Sequence, residues 1–345
     1  MKRVLIFILP LIMSITSVAA QNAPLRVMAT TTIVADVAQH VGGDLVTVTS
    51  LVPADADTHA FEPTPRDALA VSEADVVLAV GAGYEAFLAG LEENADRSDI
   101  VIVSNGVTIY PFSEAHDDHD AEAAHEHEDE ALGVLGTDDI CDVHHDEEHE
   151  EEAESTEEAG HDDHEHGACD PHVWTDPQNV MIWADNIAAA FAAKDPANAD
   201  TYLSNADAYK ETLVAADENV HEILSALPAE KRVLVTNHEF MNYFARAYGF
   251  EMVGVVIRGG STGGEIDPQA MAGLIDVIQA EGITAIFAEA SANAATIDAV
   301  AADAGVTVVT TLSESLTAAG GVADSYVAYL TYNAQSIADA LAGNQ

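Results

Sequence analysis

From Glu114 to Asp170 the chain carries ten histidines and 25 carboxylates without one lysine or arginine, and this segment limits what the molecule can be. Chain of that charge density buries too little apolar surface to offset its ordering entropy. A folded core therefore has to come from the two flanks, with 114–170 as a disordered insert. The repeated clusters HDDH, HEHE, HH and HDDHEH set imidazoles beside carboxylates, a mixture that holds divalent cations loosely. His116, His119, His125, His127, His144, His145, His149, His161, His164 and His166 are thus expected to gather metal rather than to build a fixed site. The plain alternative is a solvated acidic linker whose histidines are incidental. The segment runs straight into DPHVWTDP (170–177), where a single histidine stands among Pro and Trp that can fix its position.

Both flanks alternate strand-like apolar runs with amphipathic stretches. Before the insert these are LRVMAT, TIVADVAQHVG, VTVTSLV, TPRDALAVSEA, ADVVLAVG, GYEAFLAGLEE and DIVIVSN. After it come RVLVTN, EFMNYFARAYG, FEMVGVVI, DPQAMAGLIDVIQAEG, ITAIFAEA, ANAATIDAVAADAG and VTVVTTL, then a closing helical run. This alternation predicts parallel βα units in an α/β fold of two lobes. Between them, residues 196–227 read as one unbroken helix, started by Asp195-Pro196 and stopped by Pro228, with apolar positions at three- and four-residue steps. The organisation expected is a signal peptide over 1–20, an N-terminal lobe with the insert over 21–195, a rigid linking helix over 196–227 and a C-terminal lobe over 228–345. His221 is expected on the polar face of that helix.

The formal charge is −49, and outside the insert 35 carboxylates still face 11 basic residues. Such a surface repels nucleic acid and anionic lipid and concentrates cations. Lys2 and Arg3, the run VLIFILPLIM and Ser17-Val18-Ala19-Ala20 read as a secretory signal cleaved after Ala20, which places the protein in a bacterial periplasm. In that compartment Cys141 and Cys169 are expected to pair, a closure that stabilises by about 3 kcal/mol, with metal ligation by the reduced pair as the alternative.

Three isolated histidines stand where α/β proteins place their sites, in loops at the carboxyl ends of strands. His59 lies in PADADTHAFEPTPRD, His172 in DPHVW, and His238 directly after VLVTN. A fourth donor is needed to close a tetrahedral zinc site, and Glu314 in TTLSESL follows the last strand in the equivalent place. An ordinary helix-start charge is the competing account of Glu314. Glu289, at the end of IFAEA, is placed to orient a histidine from behind.

These residues resemble a known family, the metal-specific solute-binding proteins of ABC importers (cluster A-I), particularly zinc-uptake proteins of the ZnuA type. MATTTIVADVAQHVGGD, LVPADADTHAFEPTPRD, the insert with DPHVWTDPQN, VTNHEFMNYFARAYGFE, GGSTGGEIDPQ, FAEASAN and TLSESLTAAGG carry the resemblance, in this order over nearly the whole mature chain. The resemblance implies two (β/α) lobes with parallel sheets, joined by one long helix, with a metal in the interlobe cleft. It implies His59, His172 and His238 as ligands, and Glu314 where the family commonly has Asp. It further implies delivery to an ABC permease and its ATPase, by a protein expected to be monomeric and to meet the membrane only through that permease. Three imidazoles favour Zn2+, with Mn2+ as the alternative cargo. A metal-buffering adhesin is a further reading. An enzyme is not expected, because position 242 is Asn where a zinc hydrolase HExxH motif needs its second histidine, and RGGSTGGE (258–265) lacks the ending of a phosphate loop.

Overall fold

The computed structural model describes residues 23–112, 131–136, 141, 169–257, 268–289, 294–312 and 314–343. The signal segment, RGGSTGGE and all ten insert histidines lie outside them.

The N-terminal flank forms β1 (Leu25–Ala29), α1 (Thr32–Gly42), β2 (Val46–Ser50), α2 (Pro65–Glu73), β3 (Val76–Ala79), α3 (Leu88–Ala95) and β4 (Val101–Ile102). Its four strands are parallel, in the order β2-β1-β3-β4. A small antiparallel pair, β5 (Thr108–Ile109) with β6 (Gly133–Val134), follows. After α4 (Pro177–Lys194) and α5 (Ala199–Ser225), the C-terminal flank adds β7 (Val233–Thr236), α6 (Asn242–Tyr248), β8 (Glu251–Val255), α7 (Pro268–Ala280), β9 (Ala285–Glu289), α8 (Ala294–Ala304), β10 (Thr307–Thr311) and α9 (Tyr326–Ala342). Its parallel sheet runs β8-β7-β9-β10, the same order relative to chain direction as the first. In each sheet the order reverses between the first and third strands, the point outside which open α/β sheets bind their ligands.

Period-two alternation divides the side chains between layers. In β1, Val27 and Ala29 join a central core while Met28 faces an outer one. In β9, Ala285 and Phe287 point to the same central core, and Ile286 and Ala288 to the outer core closed by α7 and α8. The central core is continuous from Val27 to Leu341 and includes both sheets' inner faces.

The long helix lays one face on that core. Its residues Tyr202, Ala206, Tyr209, Leu213, Ala216, Val220 and Leu224 form one buried stripe, packed against α1, α4 and α9. It is preceded by a 3₁₀ turn at Pro196–Asn198 and spans about 40 Å at 1.5 Å per residue. The expected spine is therefore a one-sided element, packed along this stripe and open to solvent on its other face, where Leu203 and Val214 are exposed. Leu213 is fully buried, and Leu213→Ala is worth about 2–5 kcal/mol of stability.

The expectation that 114–170 orders nothing is corrected within the described residues. Leu132 N–H donates to Ile109 O and Leu135 N–H to Val107 O, so ALGVLG (131–136) is stitched to the N-terminal flank and Leu135 packs on the central core. Six uncharged residues in an acidic run suffice for a two-residue strand pair. Cys141 is bonded to buried Cys169, with Cα atoms 5.7 Å apart, and Cys169 bridges Pro111 in an antiparallel pair. No helix among the described residues is long and apolar enough to cross a membrane.

Candidate metal centre

The loops that leave the two sheets meet at one point. Behind β2, Asp57 Oδ1 accepts the backbone N–H groups of His59 and Ala60, a tight turn that lifts the His59 ring into the cleft. His172 starts the 3₁₀ turn Val173–Thr175 that leads into α4. His238 follows β7, where Thr236 Oγ1 donates to His238 O at 2.7 Å and closes the turn. Glu314 lies three residues beyond β10.

One ligand atom from each of His59, His172, His238 and Glu314 falls within 4.8 Å of the others. His172, His238 and Glu314 are buried, and the His59 side chain is 10% exposed. Nε2 of all three imidazoles and Oε1 of Glu314 are buried without a hydrogen-bond partner. The shortest contact, 2.8 Å between His59 Nε2 and Glu314 Oε1, is not aligned as a hydrogen bond. Leaving four such atoms unsatisfied costs about 1–3 kcal/mol each, so their convergence calls for a shared cation.

Behind these atoms stands a set of orienting groups. Asp170 Oδ1 lies 2.8 Å from His172 Nδ1 and also accepts the His172 backbone N–H. Its Oδ2 accepts from Asn242 Nδ2 and its carbonyl from the Tyr243 hydroxyl. Glu289 Oε1 is 3.4 Å from His238 Nδ1, in the place expected of an orienting group, and Asn237 Nδ2 is 3.0 Å from the same nitrogen. Phe240 stacks on His238, and Tyr84 sets its edge against His59 and His172. The chain reaches Tyr84 by a turn at Gly81 (φ 86°), where a Cβ would sit 2.2 Å from Ile102 Cγ2, so only glycine fits.

Glu314 ties the two lobes together. Its Oε2 accepts the Thr58 backbone N–H at 3.0 Å. Beside it Asp55 N–H donates to Ser315 Oγ, Leu316 N–H to Thr32 Oγ1, and Ala318 N–H to Asp55 Oδ2. Burial works against charge on His59, but the Glu314 carboxylate outweighs it and raises the His59 pKa. Burial likewise favours neutral Glu314, yet His59, and after it His172 and the Thr58 N–H, pull its pKa below the usual carboxylate value. His238 is pushed well below the ordinary histidine value by burial and then by the two neighbouring imidazoles.

Sequence reasoning singled out the four residues that converge here. It missed Asn237, Asn242, Thr58 and Tyr84, and did not separate Asp170 from the insert's other acids. Asp170 alone had a local signal, a carboxylate two residues before a histidine with proline between them. His221 lies elsewhere, half-turned against Asp217 and Tyr248 on α5.

Two parallel sheets whose loops converge on buried nitrogen and oxygen donors define a two-lobed metal-binding protein. Residues 27–340 match the family model described as zinc-uptake complex component A, periplasmic. The chain belongs to this family, the metal-binding substrate-binding proteins of ABC importers, which are not enzymes. It is 25% identical to the manganese-binding lipoprotein MntA of Halalkalibacterium halodurans over 327 residues, 94% of this chain and 91% of that one. Against the iron-binding protein YfeA of Yersinia pestis it is 29% identical over 282 residues, 80% of this chain and 75% of that one. A cadmium-bound periplasmic metal-binding protein from Candidatus Liberibacter asiaticus superposes with a TM-score of 0.69 at 23% identity, covering 92% of this chain and 99% of that one. A crystal structure of ZnuA gives 0.67 at 24% identity with the same coverage. The chain is thus an exported protein that binds a metal ion for an ABC importer.

Proposed function

We propose that the protein captures Zn2+ in the periplasm, after cleavage of its signal at Ala20, and delivers it as a monomer to an ABC permease and its ATPase. The observation that carries this reading is the convergence of three unpartnered imidazole nitrogens and one carboxylate oxygen within 4.8 Å. His59, His172, His238 and Glu314 supply a four-coordinate N3O set, which suits zinc's tetrahedral preference and borderline softness. The insert histidines gather further zinc without contributing to the tight site.

Manganese is the second reading, favoured by relatives such as the manganese ABC transporter lipoprotein PsaA of Streptococcus anginosus, 28% identical over 331 residues. A competitive chelator titration of Zn2+ and Mn2+ on the full chain, repeated after replacing the ten insert histidines by serine, tests both. One zinc site retained at undiminished affinity, with fewer weakly held ions, supports the proposal. A tight site that prefers Mn2+, or one that disappears with the insert histidines, overturns it.

A further inference from the structure

Asn237 is fully buried between β7 and His238. Its Oδ1 accepts the Glu289 backbone N–H at 3.1 Å, which fixes the amide so that its NH2 end faces the opposite side. That Nδ2 reaches His238 Nδ1 at 3.0 Å and Glu289 Oε1 at 3.1 Å, while Glu289 Oε1 itself lies 3.4 Å from His238 Nδ1. One ring nitrogen therefore faces both a donor and an acceptor. A neutral imidazole can satisfy only one of them.

The two choices have opposite consequences at the far side of the ring. When Nδ1 accepts from Asn237, the ring hydrogen sits on Nε2, directed into the cluster with Glu314 Oε1 3.6 Å away. When Nδ1 carries the hydrogen it donates to Glu289, and Nε2 presents a lone pair to a metal. In that second state the Asn237 amide hydrogen and the ring N–H confront each other across 3.0 Å.

We propose that Asn237 is a positioning residue that selects the Nε2–H form of His238 in the metal-free protein, so that it opposes capture and speeds release, while Glu289 serves the loaded state. The inference rests on His238 being a ligand. Loading then exchanges the Asn237–His238 hydrogen bond for the Glu289–His238 one and moves the ring hydrogen from Nε2 to Nδ1. Tight sites ordinarily gain from groups behind a ligating histidine. Here one of the two groups works against the ion, which suits a protein that must give its cargo up.

The test is a two-bond proton–nitrogen correlation spectrum of the full chain labelled with 15N-histidine and stripped of metal. The His238 signals are assigned by their absence in His238→Gln. The expected result is an unprotonated Nδ1 without metal, reversed on adding Zn2+. Asn237→Leu, of similar size but without the donor, should show Nδ1–H without metal and release zinc into a chelator about tenfold more slowly, within the range over which groups behind a ligand move affinity. The bond from the Glu289 N–H to Asn237 is lost with and without metal, so that cost cancels. A metal-free wild type already in the Nδ1–H form, a measurement that needs no variant, overturns the proposal, as does unchanged or faster release from Asn237→Leu. His238 signals unmoved by zinc overturn the ligand assignment itself, and the proposal with it.

Discussion

The two halves of the metal centre are built differently. His172 and His238 are fully buried and held from behind, His172 by Asp170 and His238 by Asn237 and Glu289. His59 and Glu314 instead stand on loops from opposite sheets, joined by the Thr58 N–H and a short run of hydrogen bonds between 55 and 318. The first half exists before a metal arrives, whereas the second exists only when the two loops meet. A ligand already held in place adds more net affinity than one that must be ordered by the ion, because its conformational cost is met in folding. Capture is thus assigned to the pinned half and closure to the joined half.

The largest effect expected follows from that division. His172→Ala and His238→Ala should each lower zinc affinity more than about 100-fold, beyond the range of groups that only orient a ligand, and more than His59→Ala. Chelator competition on all three variants checks it, and equal losses would erase the contrast. Next, Asp170→Asn should weaken binding about 10–100-fold, since an amide can turn a donor toward His172 Nδ1 and release the ring.

Proton competition sharpens the comparison further. A protonated imidazole cannot ligate, and the His59 pKa is raised, so competition at this residue begins above the ordinary value of about 6.5. His238, shifted the other way by burial and its neighbouring imidazoles, takes up a proton only at lower pH than His59. Zinc affinity should therefore fall steadily from pH 7.5 to 5.5, with His59 competing for protons before His238. Glu314→Gln removes the carboxylate that lifts His59 and should move the fall to lower pH, as affinity profiles of the two proteins will show. The smallest effect is expected at the rim: Thr32→Val removes the acceptor for the Leu316 N–H and should speed zinc release about two- to tenfold, matching a hydrogen bond of about 0.5–1.5 kcal/mol. Stopped-flow release measures it, and an unchanged rate would mean that this contact does not hold the loops closed.

Sheet strands and ligand candidates were legible because both rest on local pattern. Strands such as β1 and β9 are short apolar runs bounded by turns, and a histidine just past such a run stands near the site whatever the packing. The groups behind the ligands were not legible. Asn237 and Asn242 act through partners 52 and 72 residues away in sequence, a separation that no periodicity records. The β5–β6 pair escaped for a different reason: two-residue strands lie below any pattern length, and the composition of 114–170 masked the apolar ALGVLG within it. Packing of α5 against α9 is likewise a matter of where the chain's end returns.

The Cys141–Cys169 bond also gives the molecule a covalent ring. Its two cysteines stand 28 positions apart, and six of the insert's histidines lie between them. A protease that cuts once anywhere inside this ring produces two polypeptides that remain one molecule. Cys169 stays anchored, and Asp170 and His172 keep their places one and three residues further on. A clip in the ring thus breaks the backbone while the ion site keeps its covalent connection to both halves.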